Sequence, residues 1–485
     1  MHSLLGRIVG VVLSVVVTHG AVAQTQLWSG KLAVPGVGEL ELVFRITPGE
    51  GGGWTGEGDV AAQGILGAPL EDIEITDDSM SFRLAIPQAP VAAHPVFELV
   101  RQGDHAEGKM TQGGAWLPFA MDRTSEEAML AAAIERRPQT PRPPFEYRTI
   151  EVRVPVIVDG EVSHELAGTL TLPNADTFGD GPYPCVVTVS GTGPQDRDET
   201  LVEHKPFLII ADALAKRGVA TLRCDDRGVG ASGGDYASAA CTDFAADARA
   251  QVDYLLTRPE IDPERIGMLG HSEGGLTVPM AAADNEHVAF VVLLAGMAIR
   301  GDHILTSQSA KMFELRGLQA PFIEESNRLR TELIEGIRAQ KPEDELLELA
   351  RALVRHDSLG MLPEPQLERQ ARFAVNMLNN AWGRELISID PASYIARLDQ
   401  PVLAITGSLD CQVLPELNLA ATREALERGG NTDHTVFELE GLNHLFQNAT
   451  TGAIEEYAQI RESFDPEALE LVVDWIAKKA GVVSD

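Results

Sequence analysis

The sequence of 485 residues predicts an α/β protein, in which a small all-β domain precedes a doubly wound, mostly parallel sheet with a helical cap insertion. Three observations predict it. Short stretches of alternating apolar and polar residues fill the first part of the chain. Near-continuous apolar runs then alternate with amphipathic segments, as in parallel strands that helices cover on both faces. This alternation is interrupted once, by a long helical stretch.

The first 23 residues have the pattern of a signal peptide. Arg7 supplies a positive charge, residues 8–17 form an apolar run, and residues 21–23 (AVA) fit a small-residue cleavage site. The apolar run is shorter than the roughly 20 residues that span a bilayer. We therefore expect an exported protein, periplasmic or secreted, without stable membrane insertion after cleavage. The alternative is an uncleaved membrane anchor.

The next hundred or so residues, 24–124, are predicted to form an all-β accessory domain. Residues 40–46 (LELVFRI) and 81–86 (SFRLAI) show the period-two alternation of half-buried strands, and Gly and Asp break the runs. This pattern favours a β-sandwich or a small barrel. Residues 125–146 are expected to be a linker that contains a short helix and several prolines.

Residues 147–485 carry the pattern of a parallel α/β sheet. Two leading strands are followed by buried strands, predicted over residues 185–189, 219–223, 265–269, 288–295, 402–406 and 435–439. Helices are predicted over residues 205–217, 243–257, 276–283, 414–428 and 466–478. Residues 301–394 interrupt this order with several helices, including 324–340, 343–355 and 367–378. An insertion at this point lies beside the ligand-binding edge of the sheet, which favours a cap over the substrate.

The composition excludes some classes of function. The formal net charge of −33 becomes −34 when Arg7 is removed, because the leader contains no Asp or Glu. Such an acidic chain repels phosphate backbones, so we expect no nucleic-acid partner. No CxxC or HExxH motif occurs, so we expect no metal and no cofactor. Export permits a disulfide among the four cysteines, but their spacing does not select a pair.

A G-x-S-x-G motif stands at residues 270–274 (GHSEG). A predicted strand precedes it and a helix-compatible run follows it, which is the context of a nucleophile on a tight strand-to-helix turn. The flanking glycines leave room for the serine, and the helix N-terminus favours developing negative charge. The motif therefore predicts Ser272 as the nucleophile.

The partners of such a serine follow it in the order acid, then histidine, each after a later strand. Asp410 lies in the loop after the strand over residues 402–406, and His444 lies in the loop after the last strand. Glu416 falls within the next predicted helix and is the weaker acid candidate. His434 precedes the last strand, at the wrong end of the sheet. The sequence therefore predicts Ser272, Asp410 and His444 as a catalytic triad.

An oxyanion intermediate needs two backbone N–H donors. One is expected from Glu273, the residue after the nucleophile. The other is expected from the loop after the strand over residues 185–189, with Thr192 as the first choice and Gly191 as the reserve. The Glu273 carboxylate itself is expected to act as a hydrogen-bonding group of the loop.

These motifs, with residues 190–199 (SGTGPQDRDE) and 225–232 (DDRGVGAS), resemble the α/β-hydrolase superfamily. The resemblance covers residues 147–480, and the helical insert fits least well. Within the superfamily, the chain is similar to bacterial exported esterase-like and serine-aminopeptidase-like hydrolases with an N-terminal β-domain. Many esterases have His-Gly before the oxyanion donor, where this chain has Ser190-Gly191. The loop at residues 190–194, which carries the second expected donor, is called the oxyanion loop below. The segment 196–198 and the turn at Arg227 are expected to brace it.

The predicted triad specifies a mechanism better than a substrate. The resemblance implies a carboxylesterase that acts on a small-molecule ester through an acyl-enzyme. A serine peptidase, aminopeptidase or amidase is the first alternative, followed by a thioesterase or lipase. A non-catalytic binding protein is disfavoured by the complete triad. A homodimer and the role of the β-domain are left open by the sequence.

Overall fold

The computed structural model describes residues 25–34, 38–49, 53–60, 65–86 and 91–482. The chain divides into two compact units between Ala133 and Ile134. The signal peptide expected over residues 1–23 lies outside the described residues. Among the residues that are described, no helix is both long and apolar enough to cross a bilayer.

The first unit is a β-barrel, one of the two architectures that the alternating pattern favoured. Its strands are β1 Gln26–Val34, β2 Gly38–Pro48, β3 Trp54–Val60, β4 Ile65–Ile75, β5 Ser79–Leu84, β6 Val96–Gln102, β7 His105–Gln112 and β8 Ala115–Thr124. Each strand pairs antiparallel with the next, and β1 also pairs with β8, which closes the barrel. Closure leaves no free sheet edge.

Aromatic side chains fill the interior of the barrel. The ring of Phe97 lies 5.2 Å from Phe44, 5.0 Å from Phe82 and 5.2 Å from Phe119, measured between centroids. Trp28 is also fully buried in this core. Edge-to-face and offset contacts at these distances add to the gain from burying apolar area. The interior is therefore a packed core.

We predict that Phe97→Ala destabilises the protein by about 3–5 kcal/mol, because it removes a buried ring and leaves a cavity. Urea unfolding of the full chain measures the loss. Trp116→Ala is the control, since that side chain is 66% exposed. It should change stability by no more than about 0.5 kcal/mol. Equal losses in the two variants would contradict this account of the core.

The segment expected to be a linker is partly ordered by the second unit. Helix α1 spans Glu126–Arg136. Arg137 is buried, and its guanidinium donates to the carbonyl oxygens of Val202 at 2.8 Å and Ile460 at 3.2 Å. Gln139 accepts the backbone N–H of Ser463 at 2.6 Å. The residues directly after α1 are therefore held by hydrogen bonds to the second unit, to which they belong.

The second unit contains a mixed sheet. Its strands are β9 Arg148–Val158, β10 Glu161–Leu172, β11 Tyr183–Val189, β12 Ala220–Cys224, β13 Ile261–His271, β14 Phe290–Leu294, β15 Val402–Gly407 and β16 His434–Leu439. Their order is β16-β15-β14-β13-β11-β12-β10-β9, and all neighbours pair parallel except β10 with β12 and with β9. The chain leaves β11 for β12 on one side, and β13 then pairs on the other side of β11. Ligands bind at such a switch point in open α/β sheets.

Helices cover both faces of this sheet. They are α2 Ala175–Phe178, α3 Pro206–Ala215, α4 Cys241–Leu256, α5 Gly274–Ala282, α12 Pro415–Gly429 and α13 Pro466–Lys479. Successive residues of β11 face opposite cores, as the period of a strand requires. Val187 packs in the core that includes Val252 of α4, whereas Val186 packs in the core that includes Ile210 of α3 and Val472 of α13. This explains the continuous apolar runs in the sequence.

The insertion between β14 and β15 is helical, and three of its helices were predicted individually. Its helices are α6 Gly301–Leu315, α7 Ala320–Arg338, α8 Glu343–Asp357, α9 Glu364–Asn379, α10 Ala381–Leu386 and α11 Pro391–Ile395. Helices α7, α8 and α9 were predicted because each carries a buried apolar stripe. Helix α6 buries only Gly301, Ile304 and Phe313, so it lacks that periodicity. Helix α10 is bonded to α4, where the N–H and hydroxyl of Thr242 donate to Glu385 at 2.9 and 3.0 Å.

Candidate active site

Ser272 stands on a strained turn between β13 and α5. Its φ is +55°, a left-handed conformation that non-glycine residues rarely adopt. The backbone N–H of Ser272 donates to the carbonyl oxygen of Leu294 at 2.9 Å, which ties the turn to the end of β14. The residue is half-buried. Strain of this kind concentrates at functional sites, and it is the geometry that the motif predicted.

Two glycines make the turn sterically feasible. A Cβ on Gly270 would lie 2.1 Å from the carbonyl oxygen of Gly274. A Cβ on Gly274 would lie 2.2 Å from the carbonyl oxygen of Val189, at the end of β11. Neither position accepts a side chain without moving backbone. The glycines of the motif thus allow the serine turn to pack closely against the sheet.

Asp410 and His444 meet in the structure. Asp410 follows β15 and His444 follows β16, and Oδ2 of Asp410 lies 2.7 Å from Nδ1 of His444. Oδ1 of Asp410 accepts the backbone N–H groups of Gln412 and Val413 at 2.8 and 2.9 Å. Both side chains are almost fully buried. Because a carboxylate only accepts, the proton of neutral His444 sits on Nδ1, which leaves Nε2 unprotonated.

The His444 loop is held beside the serine turn through His271. The two imidazole rings are 4.7 Å apart between centroids, and Nε2 of His271 lies 3.0 Å from the carbonyl oxygen of His444. The two weaker candidates lie elsewhere. Glu416 is exposed on α12. His434 begins β16, and its Nδ1 lies 3.0 Å from the carbonyl oxygen of Asn431.

The loop after β11 corrects the reserve choice for an oxyanion donor. The N–H of Gly191 donates to Oε1 of Glu199 at 2.7 Å, so this donor is already used inside the protein. None of the hydrogen bonds among the described residues engages the backbone N–H of Thr192 or Glu273. These two groups therefore stay the predicted donors. The sequence did not indicate Glu199, since nothing in its local pattern marks it as buried.

Arginine–carboxylate pairs brace this region, as the sequence analysis expected. Arg197 donates from Nε and Nη2 to Asp225, each at 2.9 Å. Arg227 forms a second fork with Asp247, with both distances 2.7 Å. Such bidentate pairs fix geometry as well as contributing energy. They hold the turn at residues 225–227 against the oxyanion loop and against α4.

The Glu273 carboxylate connects the serine turn to the cap. Oε1 of Glu273 accepts Nε1–H of Trp382, in α10, at 2.6 Å, and Sγ of Cys241 lies 3.8 Å away. Burial raises the pKa of this carboxyl, although hydrogen bonds from Thr192, Trp382 and Cys241 oppose the rise. The expectation of a hydrogen-bonding role agrees with these contacts. The sequence did not indicate Trp382 as the partner.

Asp226 is a half-buried carboxyl beside the oxyanion loop. It accepts the hydroxyl of Ser190 and the backbone N–H of Gln195, each at 2.9 Å. It lines a cavity of about 40 Å³ together with Tyr236 and Glu273. Burial raises the pKa of Asp226 from 3.8 to about 7, despite those hydrogen bonds. Ionised Asp226 therefore lowers the stability of the fold.

We predict that Asp226→Asn stabilises the protein, and more so at pH 8 than at pH 5. Between pH 3.8 and about 7, the Asp226 carboxyl is protonated in the folded state and ionised in the unfolded state. The free energy of unfolding of the wild type therefore falls as pH rises through this range, and the loss is complete above about pH 7. The amide can retain both hydrogen bonds, because the hydroxyl of Ser190 can also accept. Thermal melts at the two pH values measure the difference. An equal change in Tm at both would contradict the raised pKa.

No group of three or more His, Cys, Asp or Glu side chains is arranged to hold a metal ion in the described ranges of the chain. Cys185, Cys224, Cys241 and Cys411 are all free thiols. The sequence left open whether two of these cysteines form a disulfide, and in the structure all four are unpaired.

Comparison with known proteins identifies the family. Residues 159–437, more than half of the chain, match the model of the X-Pro dipeptidyl-peptidase (S15) family. The chain belongs to the S15 family. It is an enzyme, a hydrolase with the α/β-hydrolase fold, as the resemblance implied. The match extends from the hairpin between β9 and β10 into β16, and so includes the helical insertion.

This S15 chain is also similar to an esterase of known sequence. The alignment with esterase EstD of Thermotoga maritima shows 26% identity over 335 residues. It covers 68% of this chain and 71% of the esterase.

Solved structures resemble the chain more distantly. Est1E from Butyrivibrio proteoclasticus is 17% identical, with a TM-score of 0.36, over 67% of this chain and 96% of that one. The hypothetical protein PA2218 from Pseudomonas aeruginosa is 19% identical, with a TM-score of 0.40. That alignment covers 70% of this chain and 95% of PA2218.

Proposed function

We propose that this S15 hydrolase cleaves carboxylic esters of small molecules through an acyl-enzyme on Ser272. The observation that carries the proposal is the buried hydrogen bond of 2.7 Å between Asp410 and His444, in the loops after adjacent strands of the sheet that also carries the strained serine turn. His444 is proposed as the general base and acid, with Asp410 as the group that orients it. Thr192 and Glu273 are proposed to supply the oxyanion N–H donors.

In the first half of the reaction, the Oγ of Ser272 attacks the ester carbonyl carbon while its proton passes to Nε2 of His444. The carbonyl oxygen becomes an oxyanion, which accepts the two backbone N–H groups. The bond to the leaving alkoxide then breaks, and the proton moves from Nε2 to that oxygen. Asp410 stabilises the imidazolium throughout and stays ionised.

In the second half, a water molecule attacks the acyl carbon and gives its proton to Nε2 of His444. The tetrahedral intermediate collapses, the bond to Oγ breaks, and the proton returns to Ser272. The carboxylic acid product leaves. The same residues serve both halves because one oxyanion intermediate forms and collapses in each half.

A peptidase that releases Xaa-Pro dipeptides is the second candidate, and the description of the family favours it. Two observations favour the ester. EstD, which aligns over 71% of its length, is named an esterase. In addition, Glu273, the carboxylate beside the serine that could pair with a peptide ammonium group, is only 4% exposed and is bonded to Trp382. Displacing those bonds to bind an ammonium group costs free energy.

We predict that Ser272→Ala lowers kcat by about 10⁶-fold, since loss of a triad nucleophile typically costs that much. Asp410→Asn should lower kcat by about 10⁴-fold, because the amide can favour the wrong tautomer of His444. Initial rates on p-nitrophenyl butyrate measure both. Glu416→Gln is the matched control and should keep the wild-type rate, since Glu416 is exposed on α12. An active Ser272→Ala enzyme would overturn the proposal.

We further predict that kcat/KM for p-nitrophenyl butyrate exceeds that for Gly-Pro-p-nitroanilide by more than about tenfold, equivalent to about 1.4 kcal/mol of transition-state stabilisation. The reason is that Glu273, the carboxylate beside the serine, is buried and bonded to Trp382, so it is not free to pair with the dipeptide amine. Comparison of the two substrates under the same conditions measures the ratio. A ratio in favour of the anilide would replace the esterase with the peptidase.

A further inference from the structure

A buried ion pair between Glu199 and His271 lies next to the proposed reaction centre. Oε1 of Glu199 is 2.9 Å from Nδ1 of His271, and the two side chains are only 5% and 8% exposed. His271 immediately precedes Ser272 in the chain. Glu199 belongs to the segment between β11 and α3, eight residues beyond Gly191. The mechanism above uses neither side chain.

Each member of the pair holds one further part of the site. Oε1 of Glu199 accepts the N–H of Gly191, at 2.7 Å, in the residue before the proposed donor Thr192. Nε2 of His271 lies 3.0 Å from the carbonyl oxygen of His444. The pair therefore connects three segments whose relative positions matter for the proposed reaction: the oxyanion loop, the serine turn and the histidine loop.

The hydrogen-bond partners indicate the charge of the pair. A carbonyl oxygen can only accept, so Nε2 of His271 carries a proton. Oε1 of Glu199 already accepts a backbone N–H, so Nδ1 of His271 is assigned as a donor to it as well. Burial alone would lower the pKa of His271, but the attraction of Glu199 and its hydrogen bond raise it overall. An imidazolium that donates from both nitrogens satisfies both contacts.

The conformation and burial of Glu199 are energetically unfavourable. Such a residue is not expected where its role is only to stabilise the fold. Glu199 has φ of +52°, a left-handed conformation that is unfavourable for an L-residue. Its Oε2 is buried with no hydrogen-bond partner among the described residues. The oxyanion loop is also packed tightly here, since a Cβ on Gly191 would lie 3.1 Å from Cβ of Ser272 and 3.3 Å from Oε1 of Glu199.

We infer that Glu199 and His271 are positioning residues, which hold the N–H of Thr192 and the ring of His444 at working distance from Ser272. This inference rests on the proposed function. With the N–H of Gly191 tied to Glu199, the next peptide group is held in one orientation, so the donor of Thr192 is preorganised. Positioning of this kind acts on the transition state, where the oxyanion forms.

The test compares Glu199→Gln, His271→Gln and the double variant with wild type on p-nitrophenyl butyrate. Each single variant should lower kcat by about 10- to 100-fold with KM within about twofold, because the lost order affects the transition state more than ground-state binding. Two glutamines can hydrogen-bond to each other and to both backbone groups. The double variant should therefore lose no more than the worse single variant, as expected for residues that act as a unit.

Glu203→Gln is the matched control. It removes a carboxylate four residues further along the same segment, where Glu203 is exposed and pairs with Arg136 at 3.0 Å. Its kcat should equal that of wild type. Thermal melts show whether each variant is folded at the assay temperature. If Glu199→Gln does not fold, His271→Gln alone carries the test with the same expected result.

The possible results separate this inference from the proposed function. Folded Glu199→Gln or His271→Gln enzyme with wild-type kcat would overturn the positioning role. Losses that multiply in the double variant, or that appear in KM instead of kcat, would overturn it as well. Ser272→Ala in the same assay tests the proposed function separately. If that variant stays active, the proposed function fails, whatever the glutamine variants do.

Discussion

The backbone turn at Ser272 is the constraint on which the rest of the site depends. A left-handed serine is unfavourable by itself, so the surrounding structure must hold it. The bond from its N–H to Leu294 anchors it to β14, and the close approach of Gly274 to the carbonyl of Val189 anchors it to β11. The turn therefore lies where the strand order changes direction, with the oxyanion loop beside it. A larger residue at Gly274 would force these segments apart.

Buried charge is the second feature that the site maintains at a cost. Glu199 and Glu273 are buried carboxyl groups and Asp226 is a half-buried one, all around one short loop, and burial raises the pKa of Asp226 and of Glu273. Each accepts hydrogen bonds from that loop, from the turn or from the cap. Their effect is to tie the loop after β11, the serine turn and the cap to one another. Clusters of this kind are typical of functional sites, where stability is exchanged for a fixed geometry.

The sequence predicted those parts of the fold and site that have a local or periodic signal. The parallel strands, the helices α7 to α9 and the serine motif each have one, and strand order alone places Asp410 and His444 in neighbouring loops. Glu199 and Trp382 lack such a signal, because their roles arise from contacts between segments far apart in the chain. Helix α6 was missed because few of its residues are buried. The choice of a barrel over a sandwich depends on pairing between β1 and β8, which no local pattern shows.

The central claim is that Ser272 is the single activated serine of this S15 hydrolase. Its most direct test is mass spectrometry of the protein after reaction with diisopropyl fluorophosphate, which reacts with a serine that has an activated hydroxyl. The account predicts one adduct per chain, mapped to Ser272 in the peptide fragments. A chain that takes no adduct, or takes it at another residue, would contradict the account.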